Sequence, residues 1–238
     1  MAKRKKRQPT YQRDERQLEY LRQLKEIRPK TYNQRKIFSS YYSGKHLMIH
    51  GMPGTGKTFI SMYLALSDVV KHKRYEKVII FRSAVATRAI GFLPGRPSEK
   101  VKVFESPYEN ICTQLYDHDG AYQQLKNKGI VEFQPTSFLR GVTLEDSIVI
   151  VDEVQNLNDH EVHTLITRMG ENSRIIFCGD FRQNDFATEG KEETGIHNLM
   201  KVVNIMQSFS SVEMQTDDIV RSGLVKEYIT ARAELGLI

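Results

Sequence analysis

One eight-residue segment constrains the fold more than any other part of this sequence. Residues 51–58 read Gly-Met-Pro-Gly-Thr-Gly-Lys-Thr and match the phosphate-loop pattern G-x-x-x-x-G-K-[ST]. Residues 46–50 before it are typical of a strand, and the broad apolar face of residues 58–70 after it predicts a helix. In that context the glycines let backbone N–H groups surround phosphate oxygens at a helix N-terminus.

The whole loop is therefore a candidate site for the phosphates of ATP. Its residues are Gly51, Met52, Pro53, Gly54, Thr55, Gly56, Lys57 and Thr58. We expect Lys57 to neutralise the β- and γ-phosphate oxygens during catalysis and the Thr58 hydroxyl to be a ligand of Mg²⁺. ATP and Mg²⁺ are thus the expected cofactors.

Two carboxylates follow the longest purely aliphatic run of the chain, residues 148–151. We expect Asp152 to hold Mg²⁺ and the catalytic Glu153 to polarise the attacking water, which favours hydrolysis over transfer to a substrate hydroxyl. By itself, such a pair is more often a helix N-cap with a solvated neighbour. The phosphate loop upstream favours the catalytic interpretation.

The other apolar segments predict a doubly wound α/β domain. Nearly continuous Val/Ile runs are typical of strands buried on both faces, and hence of a mostly parallel sheet covered by helices. Strands are expected at residues 46–50, 78–81, 130–133, 148–151 and 175–178, with a weaker one near 211–213. Helices are expected at residues 58–70, 160–169 and 196–206. The predicted domain covers residues 31–238.

The first 30 residues form a separate N-terminal extension with a strong positive charge. They hold 11 Lys or Arg against 4 Asp or Glu, a net +7, whereas the other 208 residues hold 24 against 25, a net −1. Residues 1–10 read as a disordered arm suited to nucleic-acid phosphates, or as a solvated charge run. Apolar residues at intervals of three then predict an amphipathic helix that stops before Pro29. They are Leu18, Leu21, Leu24 and Ile27.

The composition excludes several classes of protein. Two cysteines, Cys112 and Cys178, exclude a disulfide framework and suit a reducing compartment, so a cytoplasmic location is expected. No apolar run is long enough to cross a bilayer, and no apolar segment follows the basic N-terminus as in a secretory signal. A membrane partner is therefore not expected.

Several further motifs, in order along residues 31–232, resemble the PhoH-like P-loop ATPase family. They read GMPGTGKT, RSAVATRAIGFLPG, SFLRG, IVDEVQN, CGDFRQND and DDIVRSGLV. The resemblance implies a RecA-like core similar to the first motor domain of superfamily 1 helicases. The chain resembles a stand-alone short form, because it has no room for the ribonuclease-like domain fused to some members.

The resemblance also implies roles for three residues outside the phosphate loop. Gln34 matches the glutamine that reads adenine, and Gln183 matches the helicase sensor of the γ-phosphate. Arg221 matches an arginine that would act as a finger on the transferring phosphate, within its own subunit or in a neighbouring one. A salt bridge from Arg221 to Asp217 or Asp218 is the alternative. Arg82, after the second strand, would either meet nucleic acid or anchor the loop that follows.

Together these features predict an Mg²⁺-dependent ATPase that couples hydrolysis to binding, translocation or remodelling of single-stranded nucleic acid. The family resemblance alone favours RNA over DNA. Because one motor domain leaves an ATP site open on one side, a homo-oligomeric ring is expected, with a hexamer as the first candidate. A nucleotide-switched binding module without motor activity is the alternative, and a small-metabolite kinase is disfavoured by Glu153.

Overall fold

The structure is a computed structural model that describes residues 23–83, 97–136, 143–180 and 195–237, with the backbone alone for residues 97–101. The strands in these ranges are β1 His46–Gly51, β2 Lys77–Arg82, β3 Val131–Pro135, β4 Ser147–Asp152, β5 Arg174–Gly179 and β6 Phe209–Met214. The α-helices are α1 Tyr32–Tyr42, α2 Lys57–Leu66, α3 Pro97–Tyr116, α4 Ala121–Asn127, α5 Asp159–Thr167, α6 Gly195–Ile205 and α7 Gly223–Glu234. A π-helical turn, Ser67–Lys71, extends α2.

The strands form one sheet in the order β3-β2-β4-β5-β1-β6, and every pair within it is parallel. Each predicted strand is present, including the weak one, which is β6. In this order β5 separates β1 from β4, so the loops that follow these three strands leave the sheet side by side. Such carboxyl ends are where open α/β sheets bind ligands.

Alternating side chains of the buried strands enter two separate cores. On β1, Leu47 and Ile49 face the core beneath α1 to α4, whereas Met48 faces the core beneath α5 and α6. Helices therefore cover both faces of the sheet, which confirms the predicted doubly wound, RecA-like P-loop NTPase fold. In the part of the chain that the structure describes, no helix is both long and apolar enough to span a bilayer.

The N-terminal extension differs from its prediction where the structure describes it. Residues 23–30 are not helical, so the amphipathic helix is wrong for this part, and residues 18–22 lie outside the described ranges. Leu24 is buried in the core, and the Lys25 N–H donates to the Leu115 carbonyl of α3 at 2.9 Å. A short isolated helix is marginal in water, and packing against α3 provides the competing arrangement. The domain division at residue 30 stays a prediction.

Candidate nucleotide-binding and catalytic site

A cleft of about 890 Å³ opens at the carboxyl ends of β1, β4 and β5. Most of the residues singled out from the sequence line it: residues 53–58 of the phosphate loop, Gln34, Asp152, Glu153 and Arg221. Gln183 lies outside the described residues, so its place is still a prediction.

Local backbone geometry explains the glycines of the phosphate loop. Gly51 has φ = 105°, and a Cβ there would approach the Met214 carbonyl oxygen to 2.3 Å. Gly56 has φ = 86° directly before α2 begins at Lys57. Other residues rarely adopt these angles, so glycine allows the chain to turn sharply from β1 into α2.

The Lys57 ammonium lies inside this loop. Its Nζ donates to the carbonyl oxygens of Gly51 at 2.7 Å and Met52 at 2.8 Å. Burial lowers the pKa of Lys57, while the nearby carboxylates of Asp180 and Glu153 act in the opposite direction. The loop thus holds a partly buried cation in place by means of its own backbone.

The two residues expected to bind Mg²⁺ lie next to each other. The Thr58 Oγ1 donates to Asp152 Oδ1 at 2.9 Å, and the Tyr108 hydroxyl donates to Asp152 Oδ2 at 2.9 Å. Burial, followed by the charge of Glu153, raises the pKa of Asp152. A hydroxyl and a carboxylate are hard oxygen ligands that suit Mg²⁺, so the donor set fits this ion.

Glu153 begins a sharp turn after β4 and points its carboxylate toward the cleft. Its φ of 52° is unusual for a residue with a side chain. The Gln155 Nε2 donates to Glu153 Oε2 at 2.6 Å, and Arg82 Nη2 lies 3.7 Å from Glu153 Oε1. Contacts to both oxygens therefore fix the orientation of the Glu153 carboxylate.

Two residues of this site, Gln155 and Tyr108, were not predicted from the sequence. Gln155 also accepts the N–H of Asp180 at 3.1 Å, which links the turn after β4 to the end of β5. It belongs to the IVDEVQN motif, so that motif could have indicated it. Tyr108 sits in the middle of α3 and has no local signal, because only the packing of α3 on the sheet brings its hydroxyl to Asp152.

A protein-family model described as PhoH-like protein matches residues 26–233. The chain belongs to this family. The PhoH-like protein of Bacillus subtilis (strain 168) is 33% identical over 210 residues, or 87% of this chain and 64% of that relative. The PhoH-like protein of Mycobacterium leprae (strain TN) is 30% identical over 215 residues, or 90% and 60%. The chain thus spans less than two thirds of the length of these curated relatives.

Among solved structures, the SWI2/SNF2 ATPase core of Sulfolobus solfataricus in complex with dsDNA is similar with a TM-score of 0.45 at 10% identity. The match covers 80% of this chain and 45% of that chain. Likeness at this level says nothing about function.

In this PhoH-like protein, both the nitrogen and the oxygen of the Gln34 side-chain amide form hydrogen bonds with the backbone. Its Nε2 donates to the Thr55 carbonyl at 3.1 Å, and its Oε1 accepts the Lys30 N–H at 2.8 Å. Gln34 thereby joins the segment before α1 to the phosphate loop. Its role in reading adenine stays a prediction.

Arg221 packs on the phosphate loop of its own chain. Its Cγ would lie 3.0 Å from a Cβ at Gly54, and the neighbouring Val220 N–H donates to the Gly54 carbonyl at 3.2 Å. The Asp218 Oδ2 accepts hydrogen bonds from Asn33 and from the backbone N–H of Gln215. The carboxylate of Asp218 is therefore engaged by these groups, while Arg221 stays at the edge of the cleft.

Proposed function

We propose that this protein is an Mg²⁺-dependent ATPase that couples hydrolysis to the binding, translocation or remodelling of single-stranded nucleic acid, with RNA preferred over DNA. One observation carries the ATPase assignment: Lys57, Thr58, Asp152 and Glu153 converge at the end of one cleft. Membership in the PhoH-like family supports the same assignment.

Each of these residues has a chemical task in the proposed reaction. Lys57 binds the β- and γ-phosphate oxygens and orients the terminal phosphate. Thr58 and Asp152 would hold Mg²⁺, which offsets phosphate charge when bound. Glu153 accepts a proton from the attacking water, for which its position beside the cleft is suited. The hydrogen bond from Tyr108 keeps the Asp152 carboxylate in place.

The nucleic-acid part of the proposal is supported by charge. The first 30 residues carry a net +7 on a chain that is otherwise nearly neutral. Cations that contact phosphates make binding fall steeply as salt rises. Deletion of residues 1–10 should therefore weaken nucleic-acid binding and flatten its salt dependence, while the basal ATPase rate stays the same. Unchanged binding and an unchanged salt slope would mean that the arm is only a solvated charge run.

The exposed surface of α7 supports the proposed ring of identical subunits. Among its described residues only Ile229 is buried, whereas Leu224 and Tyr228 are 78% and 59% exposed. Such apolar side chains next to Arg221 would be covered by a neighbouring copy, with a hexamer as the first candidate. Mass measurement in solution with a non-hydrolysable ATP analogue tests this, and a strictly monomeric, fully active protein would exclude the ring.

A mixing experiment tests whether Arg221 acts on a neighbour's nucleotide. Arg221→Ala and Lys57→Ala subunits should each be inactive alone. If Arg221 acts between subunits, mixing them should restore part of the ATPase rate, because an intact Lys57 site can then face an intact Arg221. An Arg221→Ala protein that is active alone would remove this residue from catalysis.

The central experiment is an ATPase assay with and without Mg²⁺, RNA oligonucleotides and DNA oligonucleotides. We expect Mg²⁺-dependent hydrolysis that RNA accelerates most. Lys57→Ala should abolish binding or hydrolysis, and Glu153→Gln should bind ATP but turn it over more slowly by about 10²-fold or more. Hydrolysis unaffected by either nucleic acid would favour the nucleotide-switched binding module instead.

A further inference from the structure

Arg82 stands beside the two candidate catalytic carboxylates because of the strand order. It ends β2, which pairs with β4, and Asp152 is its partner in the register. The side chain is 22% exposed and lines the same cleft as the phosphate loop. Its guanidinium lies 3.7 Å from the Glu153 carboxylate. Arg82 is therefore a cation placed directly against Glu153.

The Glu153 carboxylate is held from two sides in this arrangement. Arg82 lies against Oε1, and Gln155 donates to Oε2 at 2.6 Å. Gln155 is itself fixed by the Asp180 N–H at 3.1 Å, so it cannot turn freely. These contacts fix the direction in which the Glu153 carboxylate points, so it cannot turn freely toward an attacking water.

The contact between Arg82 and Glu153 is nonetheless one that a stronger ligand can displace. The Glu153 side chain is 39% exposed, and partly exposed ion pairs contribute little free energy. A guanidinium binds phosphate oxygens through two parallel hydrogen bonds, which a carboxylate at 3.7 Å does not match. Since Arg82 lines the cleft, a phosphate group that enters there can draw the guanidinium away from Glu153.

We propose that Arg82 restrains Glu153 in a state of low activity, and that a phosphate group releases Glu153 by binding the Arg82 guanidinium. This inference rests on the proposed ATPase function and makes Arg82 a positioning residue. The phosphate comes from the backbone of bound nucleic acid, because ATP alone occupies the cleft of the wild type in the restrained state. Release leaves Glu153 free to reach the attacking water.

The test is the ATPase rate of Arg82→Met at saturating MgATP, with and without an RNA oligonucleotide. Methionine removes the cation but fills a similar volume. Without RNA, kcat should rise about threefold or more, while the affinity for a fluorescent ATP analogue changes by less than about twofold. Arg82→Lys, which keeps a cation but loses the planar fork, should give a smaller rise. It also serves as the second variant if Arg82→Met fails to fold.

Arg74→Met is the matched control, because Arg74 forms an ion pair with Asp68 away from the cleft. Its basal rate should equal that of the wild type. If RNA accelerates the wild type but no longer accelerates Arg82→Met, the releasing phosphate belongs to the nucleic acid. Equal acceleration of both proteins rejects nucleic-acid phosphate as the releasing group.

A different pattern would overturn the inference. An active wild type, with an Arg82→Met rate that is unchanged or lower despite normal analogue binding, rejects the restraint but not the ATPase function. If neither protein hydrolyses ATP, both the proposed function and the restraint are rejected.

Discussion

Two buried carboxylates, Asp152 and Asp68, differ in the groups that balance their charge. Asp152 lies at the carboxyl ends of the strands and Asp68 near their amino ends. Asp152 ends β4 at the cleft, and Asp68 lies in the turn that extends α2, near Arg174 at the start of β5. Both side chains are almost fully removed from solvent. Burial alone therefore does not distinguish a structural carboxylate from a functional one.

Two arginines and one tyrosine hydroxyl face the carboxylate of Asp68. The Tyr41 hydroxyl donates to Asp68 Oδ2 at 2.8 Å, and the guanidinium groups of Arg74 and Arg174 lie 3.4 Å and 3.9 Å from its oxygens. Arg174 also stacks on the Tyr41 ring, with 4.4 Å from Cζ to the ring centroid. This cluster joins α1, the turn after α2 and β5.

Among the described residues, fewer cations face the carboxylate of Asp152. Two neutral hydroxyls, those of Thr58 and Tyr108, donate to its carboxylate, and the adjacent Glu153 adds a like charge. Arg82 offsets part of that charge, yet burial and Glu153 still raise the pKa of Asp152. The difference from Asp68 indicates that the buried Asp152 carboxylate, with less positive charge from the described residues around it, is suited to bind a cation.

The largest expected effect in this comparison is that of Asp152→Asn on activity. Loss of a metal-binding carboxylate should lower kcat by about 10²-fold or more, because several kcal/mol of charge stabilisation are removed. The mutant should not be less stable. The raised pKa of Asp152 means that its ionised form weakens the fold as pH rises above the carboxyl range, so the melting temperature of Asp152→Asn near neutral pH should match or exceed that of the wild type.

Melting temperatures measured without Mg²⁺ and nucleotide test the direction of this difference between Asp152→Asn and the wild type. The difference in melting temperature between the two proteins should shrink as pH falls toward the ordinary carboxyl range, where Asp152 is protonated. A mutant that melts well below the wild type near neutral pH would contradict the comparison.

The next largest effect is expected for Asp68→Asn, and it should fall on stability. Removing this carboxylate leaves the largely buried guanidinium of Arg174 without its counter-charge. The unfolding free energy should therefore fall by about 3 kcal/mol. Urea denaturation measures this loss, and kcat per folded molecule should be unchanged. A large loss of kcat with normal stability would show that Asp68 is linked to the cleft.

Tyr108→Phe and Tyr41→Phe form a matched pair of substitutions, one for each carboxylate. Each removes only the hydroxyl that donates to one of the two carboxylates. Tyr41→Phe should lower the unfolding free energy by about 1.5 kcal/mol. Tyr108→Phe should instead raise the Mg²⁺ concentration for half-maximal ATPase activity by about tenfold, as loss of a supporting hydrogen bond does at metal sites. If both variants changed stability alone, Tyr108 would have no part in placing Asp152.

The smallest effect is expected for Arg74→Met. Its side chain is 56% exposed, so the pair with Asp68 at 3.4 Å is largely screened by solvent. The unfolding free energy should fall by less than about 1 kcal/mol. Urea denaturation can resolve this change from that of Asp68→Asn. An equally large loss in both variants would mean that Arg74, rather than Arg174 and Tyr41, provides most of the compensation.

Features that depend on neighbours along the chain were predictable from the sequence. The phosphate loop needs glycines at fixed spacing, and both its strand and its helix are where the pattern predicted them. The strands were found because uninterrupted Val/Ile runs suit a sheet buried on both faces. The family assignment followed from the order of the motifs and is confirmed by the match over residues 26–233.

Contacts between residues that are distant along the chain depend on how the helices and strands pack. Apolar residues at intervals of three around Leu24 predicted a helix. Instead, contacts with α3, about 90 positions away in the sequence, hold residues 23–30 in a non-helical conformation. Tyr108 reaches Asp152 across 44 positions because α3 packs on the sheet. Arg82 reaches Glu153 because β2 pairs with β4 although β3 lies between them in sequence. Periodicity reports which face of an element is buried, whereas these contacts depend on which elements pack side by side.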